Sequence, residues 1–324
     1  VKGLKQLFPE KVAIFSLDPE STRKRGRKPD VEAFISLGDI DIEDIALLQD
    51  ELQLNTTAIE SAFAIYRRYG QRWLSELLSW EEDELAEISK ELGTHMQSLS
   101  AMRRKLNRIR ALPFIVEDSI QSEGTIKKIL DHLGRGISIV LEFGRSNSAL
   151  AYLLAANIIS RRIHDNYIDR TEKYHATKDS SDKPRQLMIT IEEAHKFLNS
   201  QAARQTIFGT IARELRKYSV TMLIVDQRPS GIDDEVISQV GTRITALLND
   251  EKDIQSVLTG VSGTAGLRSV LASLDTKQQA LILGHAVPMQ VVVKTREYGE
   301  SFYREISRVP EEGKGEEIIG ELYG

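Results

Sequence analysis

Leu187-Met188-Ile189-Thr190-Ile191-Glu192-Glu193-Ala194-His195 is the stretch that decides how the rest of the chain is read. An almost unbroken apolar run, about as long as a buried parallel strand, stops at two adjacent carboxylates. In open α/β sheets ligands bind beyond the carboxyl ends of the strands, which places the chemistry at Glu192 and Glu193. Successive strand side chains point to opposite faces, so the two carboxylates cannot share one task. One can reach a metal ion or its water shell while the other faces a reacting water, a division that suits nucleotide hydrolysis. The plainer alternative is an acidic pair that opens the next helix, where the N-terminal dipole favours negative charge.

Downstream, residues 202–218 read as a helix and Val220-Thr221-Met222-Leu223-Ile224-Val225 as a second buried strand, adjacent to the first. That strand runs into Asp226-Gln227-Arg228-Pro229-Ser230, which puts Gln227 at its carboxyl end. An amide there can bond a γ-phosphate or hold the attacking water while staying neutral; it can equally be an ordinary residue of a polar turn. The intervening helix closes on Arg213 and Arg216. Cations suit a helix C-terminus, and in a ring of subunits an arginine so placed can also reach a neighbour's nucleotide.

Upstream, residues 11–17 read as a strand ending at Asp18-Pro19-Glu20, followed by a loop with the basic run Arg23-Lys24-Arg25-Gly26-Arg27-Lys28-Pro29. The run is either a phosphate contact or a solvated surface. Between residues 41 and 112 the pattern turns helical, with Ile45, Leu48, Leu52 and Ile59, Phe63, Tyr66 spaced by three and four, then Trp73, Leu74, Leu77 and Leu78. Glu81 to Glu84 suit a helix start. The last helix carries Arg103, Arg104, Lys105, Arg108 and Arg110 before Pro113; these are candidates for tracking a DNA backbone, or for pairing with the acidic helix.

Strand and helix alternate again from residues 137–143, with a helix over 148–165 and an exposed loop over 171–185. Residues 243–248 add a strand candidate, and residues 279–284 and 289–293 form a hairpin on the sheet edge. The fold class is α/β: a mostly parallel sheet covered on both sides by helices, with an α-helical insertion and a C-terminal β-hairpin. The domains expected are a partial core over 1–38, the helical insertion over 39–118, the main core over 119–308 and a loose polar tail over 309–324.

Composition bounds the function. The net charge of -5 gives no global attraction for nucleic acid, so any DNA site must be local. With Cys at 0, disulfides, cysteine-ligated zinc and thiol chemistry are excluded, which fits a reducing cytoplasm. No apolar run is long enough to span a bilayer and no signal peptide is visible, so the expected location is cytoplasmic, with no membrane partner.

Taken together, the 187–195 stretch, the Arg213-Glu214-Leu215-Arg216-Lys217-Tyr218 helix end, Asp226-Gln227-Arg228-Pro229-Ser230 and Leu281-Ile282-Leu283-Gly284-His285-Ala286 resemble the HerA-like branch of the HerA/FtsK ATPases. The resemblance covers roughly residues 135–300, and Asp39-Ile40-Asp41-Ile42-Glu43-Asp44-Ile45 with its helices resembles the family's insertion. It implies a RecA-like P-loop core, a hexameric ring that translocates DNA using ATP and Mg2+, and, as in archaeal members, a NurA-type nuclease partner in DNA end processing. It makes residues 187–193 the Walker B motif, with Glu192 in the magnesium-associated position, where relatives usually carry the shorter Asp. It also makes Glu193 the base that polarises water, Gln227 the γ-phosphate sensor, and Arg216, with Arg213 as second choice, the finger inserted into the next subunit.

One departure stands out. No stretch fits Gly-x-x-x-x-Gly-Lys-Ser/Thr, the phosphate-cradling Walker A motif. Gly260-Val261-Ser262-Gly263-Thr264-Ala265-Gly266 has neither the lysine nor a preceding strand, and reads as a flexible loop. The expectation is a C-terminal portion of a longer ATPase, inactive alone because nothing anchors the phosphates. Two alternatives stay open: a non-catalytic oligomeric scaffold that recruits a nuclease or another partner, and a related motor that moves protein.

Overall fold

Val12-Ala13-Ile14-Phe15-Ser16 is buried along its whole length and forms β1 (Val12–Ser16). In the computed structural model this strand is the middle one of a three-stranded sheet in the larger of two compact units, Glu10–Gln239; the other unit comprises Val1–Pro9 and Val240–Gly324. The structure describes residues 2–117, 119–144, 148–200, 203, 207–214, 217–261 and 263–306, without the side chains of 119–123, 213, 214 and 265. The polar tail expected after Arg304 falls almost wholly outside them.

In the Glu10–Gln239 unit the described strands pair in parallel. β2 (Val31–Glu32) flanks β1, and β3 (Ile35–Ser36) pairs with β4 (Ile115–Val116). β5 (Ser138–Glu142) lies on the other edge of β1, with Ile14 opposite Val140. β6 (Leu187–Glu192) and β7 (Val220–Val225) run side by side in register, from Leu187 opposite Val220 to Glu192 opposite Val225. The helical segment comprises Ile42–Leu47, Thr56–Tyr69, Trp73–Ser79, Glu82–Glu91 and Met96–Arg110. Its buried positions keep the helical period: Trp73, Leu74, Leu77 on one helix and Leu99, Met102, Leu106, Ile109 on another. Trp73 is fully buried and its indole N–H donates to the Ile40 carbonyl at 2.9 Å. The α/β class expected from the sequence is the class found.

Several local expectations are corrected. The basic run does not begin in a loop: Asp18 accepts the Ser21 N–H at 3.0 Å and Pro19 opens the Pro19–Lys24 helix, whose last turn holds Arg23 and Lys24. Arg23 pairs with Glu32, Lys24 with Glu20, and Arg25 with Glu142 at 3.1 Å. On the Met96–Arg110 helix, Arg103, Lys105 and Arg108 donate to the carbonyls of Trp80, Gln53 and Glu51, rather than pairing with the acidic helix. Arg110 pairs with Glu117, and Arg104 is exposed. The helix expected to stop near residue 165 is Ala149–Thr177, so the exposed loop is shorter than expected. Ile163, Tyr167 and Thr171 continue its buried stripe at spacings of four.

The two apolar strands are not covered on both sides. Leu187, Ile189 and Ile191 turn inward, whereas Met188, Leu223 and Val225 are 60%, 44% and 46% exposed on the opposite face of the β6–β7 pair. Of the helix expected over 202–218, Ile207–Glu214 is described. It packs so closely on the preceding segment that a Cβ at Gly209 would lie 1.6 Å from the Ala203 carbonyl oxygen. Gly209→Ala is therefore expected to cost about 1–3 kcal/mol of stability, read from urea unfolding midpoints.

In the other unit β8 (Thr242–Thr245), β9 (Gln279–Gly284) and β10 (Val291–Lys294) form an antiparallel sheet with β9 central. The two hairpin strands pair as expected, but in a separate three-stranded sheet rather than on the edge of the parallel one, and the strand near residue 243 is antiparallel to β9 and ends at Thr245. Ile254, Leu258, Leu271 and Leu274 pack on Leu281 and Leu283. The glycine-rich segment is not simply a loop: Gly263, at φ 72°, caps the Thr264–Ser273 helix. Among the described residues no helix is long and apolar enough to cross a membrane.

Candidate functional site

The parallel register of β6 and β7 brings their carboxyl ends level, so Glu192-Glu193 and Asp226-Gln227 emerge side by side. Glu192 closes β6 on its exposed face. Glu193 turns away because its backbone is left-handed, at φ 53°. It thereby escapes the alternation of the strand and faces Gln227, whose side-chain N–H donates to Glu193 Oε1 at 3.4 Å. A left-handed conformation is costly for a residue with a Cβ. Glu193→Gly is accordingly expected to raise unfolding stability by about 1 kcal/mol while removing the carboxylate, measured as the shift of the urea midpoint.

Asp226 ties the two strand ends together. Its side chain is 4% exposed. Oδ2 accepts the His195 backbone N–H at 2.8 Å and lies 2.9 Å from His195 Nδ1; Oδ1 accepts the Arg228 N–H at 2.6 Å. Burial pushes the Asp226 carboxyl up, but the bonds from Arg228 and His195 outweigh it and hold it below the ordinary carboxylate value. The far side of the ring, His195 Nε2, stands 3.9 Å from Glu193 Oε2. Tyr152 closes the other flank. Its hydroxyl donates to the Glu192 carbonyl at 3.2 Å, and its ring packs on Phe143 and Phe197 at centroid distances of 4.6 and 4.8 Å. Burial, then the carboxylates of Glu192 and Glu193, push the Tyr152 phenol up.

A half-exposed carboxylate bonded to a neutral amide donor can take a proton from a water held beside the pair. Among the described residues no group of three or more His, Asp and Glu side chains is placed to hold a metal. Magnesium, however, commonly keeps most of its water shell and needs only one or two carboxylates, which a single acid at 192 fits. Of the residues singled out from sequence, the structure brings Glu193 and Gln227 together and puts Glu192 on a different face. Arg216 lies outside the described residues, as does the side chain of Arg213. Arg103, Arg104, Lys105 and Arg108 belong to the helical segment. His195, Asp226 and Tyr152 were missed, although the first polar residue after β7 is a visible signal for a strand-end contact.

The chain matches the family described as "Helicase HerA, central domain" over residues 1–163, a span that includes the helical segment and ends before β6. It is 32% identical over 139 residues to the DNA double-strand break repair helicase HerA of Sulfolobus acidocaldarius, covering 41% of this chain and 28% of that protein. To the corresponding helicase of Sulfurisphaera tokodaii it is 37% identical over 111 residues, covering 33% and 22%. The aligned region thus spans about a quarter of the length of these curated relatives. Among solved structures, VirB4 of Thermoanaerobacter pseudethanolicus aligns with 93% of this chain and 86% of its own at 10% identity, with a TM-score of 0.49. On the family match, which takes in half of its length, the chain belongs to the helicase HerA central-domain family.

Proposed function

We propose that this chain supplies the hydrolytic half of an ATP-driven DNA motor. The observation that carries the proposal is the Glu193–Gln227 contact, 3.4 Å across the carboxyl ends of two adjacent parallel strands. Glu193 is the general base and Gln227 holds the attacking water and senses the γ-phosphate; both sit where an open α/β sheet presents its ligands. Glu192 would hold Mg2+ through water, and the bound ion would neutralise phosphate charge. In this scheme residues 1–38 and 119–308 are the RecA-like core and 39–118 its insertion. Arg216, or else Arg213, acts in trans in a hexameric ring. The relatives named as DNA double-strand break repair helicases support DNA as the substrate and end processing as the setting, with a NurA-type nuclease as partner.

The test is magnesium-dependent ATP turnover, with and without duplex DNA, by this chain and by a form extended upstream through a phosphate-binding loop. Turnover in the extended form, stimulated by DNA, is expected. The second reading, a scaffold without catalysis, takes its support from the lack of a Gly-x-x-x-x-Gly-Lys-Ser/Thr stretch in these 324 residues. It requires no turnover in either form.

A further inference from the structure

The carboxylate–amide contact joins two turns, one after β6 and one after β7, and nothing in either side chain alone fixes their separation. Asp226 does. Its Oδ2 bonds the turn that carries Glu193, through the His195 backbone N–H and ring, and its Oδ1 bonds the Arg228 N–H just past Gln227. We infer that Asp226 and His195 are a positioning pair for the proposed hydrolysis, locking the two strand ends so that Glu193 faces Gln227. The inference rests on the hydrolytic role of Glu193.

An ionised carboxylate only accepts hydrogen bonds, and Asp226 is held in that form, so the 2.9 Å contact requires a proton on His195 Nδ1. The ring is therefore oriented by its Nδ1–H, and bonds to an ionised acceptor are the strong kind. Holding the turn matters because the left-handed backbone of Glu193 is a strained conformation that persists only where the surroundings over-determine it. Without the ring's bond, the turn retains one link to Asp226, the His195 backbone N–H. Relaxing it by about 1 Å would open the 3.4 Å contact and cost up to about 100-fold in rate.

The test separates an Nδ1–H donor from a ring needed for another reason. In the full-length protein, His195→Asn places an amide N–H near the Nδ1 position, His195→Gln places one near Nε2, and His195→Ala places neither. The expected result is a kcat lowered about 10- to 100-fold by Ala and by Gln, with an unchanged KM for ATP, and restored largely by Asn. Rescue by Gln and not by Asn, or wild-type kcat in all of them, overturns the inference. A second measurement needs no nucleotide: long-range 1H–15N correlation on this chain is expected to show the neutral His195 ring protonated at Nδ1. A proton on Nε2 refutes the positioning pair while leaving the role of Glu193 untouched. Full turnover in Glu193→Gln instead removes the reaction itself, whatever the tautomer.

Discussion

Replacing Glu193 by Gln is expected to lower ATP turnover of the extended form by about 10²- to 10⁴-fold, the usual contribution of a general base. The substitution is nearly isosteric. It keeps an oxygen that can accept the Gln227 side-chain N–H and keeps the left-handed turn, so it subtracts the basic charge and little else. Nucleotide affinity, measured by titration calorimetry, and the urea midpoint should therefore stay at their wild-type values. A fall in kcat with KM unchanged marks an interaction made only in the transition state. Undiminished turnover would rule Glu193 out as the base, and with it the division of labour proposed for residues 192 and 193.

The largest stability loss is expected at Arg161, which anchors the long Ala149–Thr177 helix to the start of the helical segment. Arg161 pairs with Asp41, and with Asp44 at 2.8 Å, and donates to the Asp39 carbonyl at 3.0 Å. Asp44 is 1% exposed and also accepts the Asn157 side-chain N–H at 2.7 Å, while Asn157 accepts the Ile207 N–H at 3.0 Å. One buried network thus joins the helical segment, the long helix and the first residue of the Ile207–Glu214 helix. Arg161→Ala leaves the buried Asp44 charge without its cation and should cost about 3–5 kcal/mol in chemical denaturation. An Arg161→Ala cost within experimental error of zero would show that the network carries no net stabilisation.

Asp44 gives the same network a pH signature. Burial pushes its carboxyl above the ordinary value, more than Arg161 and the bonds from the Asp41 N–H and Asn157 pull it down. For an acid with a raised folded pKa, the native state binds the proton more tightly than the unfolded chain does. Its contribution is then full below the unfolded pKa and is lost as pH rises through the folded one. Wild-type stability should carry this decline, superimposed on the opposite trend from Asp226, whose lowered pKa adds stability that is lost as pH falls. Asp44→Asn is expected to remove the first component and leave the second, which paired stability–pH curves would resolve.

Local pattern settled much of the architecture in advance. The apolar runs at β1, β5, β6 and β7 and the period of three and four through Ile59, Phe63, Tyr66, Trp73 and Leu77 are short-range signals, and each became the element it announced. Ends and pairings were less legible. Thr171 extends the long helix because it lies buried on the same stripe as Tyr167, a fact about packing that a polar sequence conceals. The strand near residue 243 looked like the next member of a parallel series, and only its neighbour β9 makes it antiparallel. The basic residues of the Met96–Arg110 helix suggested a partner surface, yet Arg103, Lys105 and Arg108 bond backbone carbonyls of the same chain, because a long cation reaches whichever acceptor the fold brings within range.

The same division holds at the site. That two carboxylates end one strand and that Gln227 follows another is legible in local pattern, since an apolar run and the first polar residues after it mark a strand end. The register of the two strands, the turn of Glu193 to φ 53° toward the amide, and the bonds of Asp226 to His195 across the turns emerge only in the folded chain, because they depend on hydrogen bonds between residues about thirty positions apart.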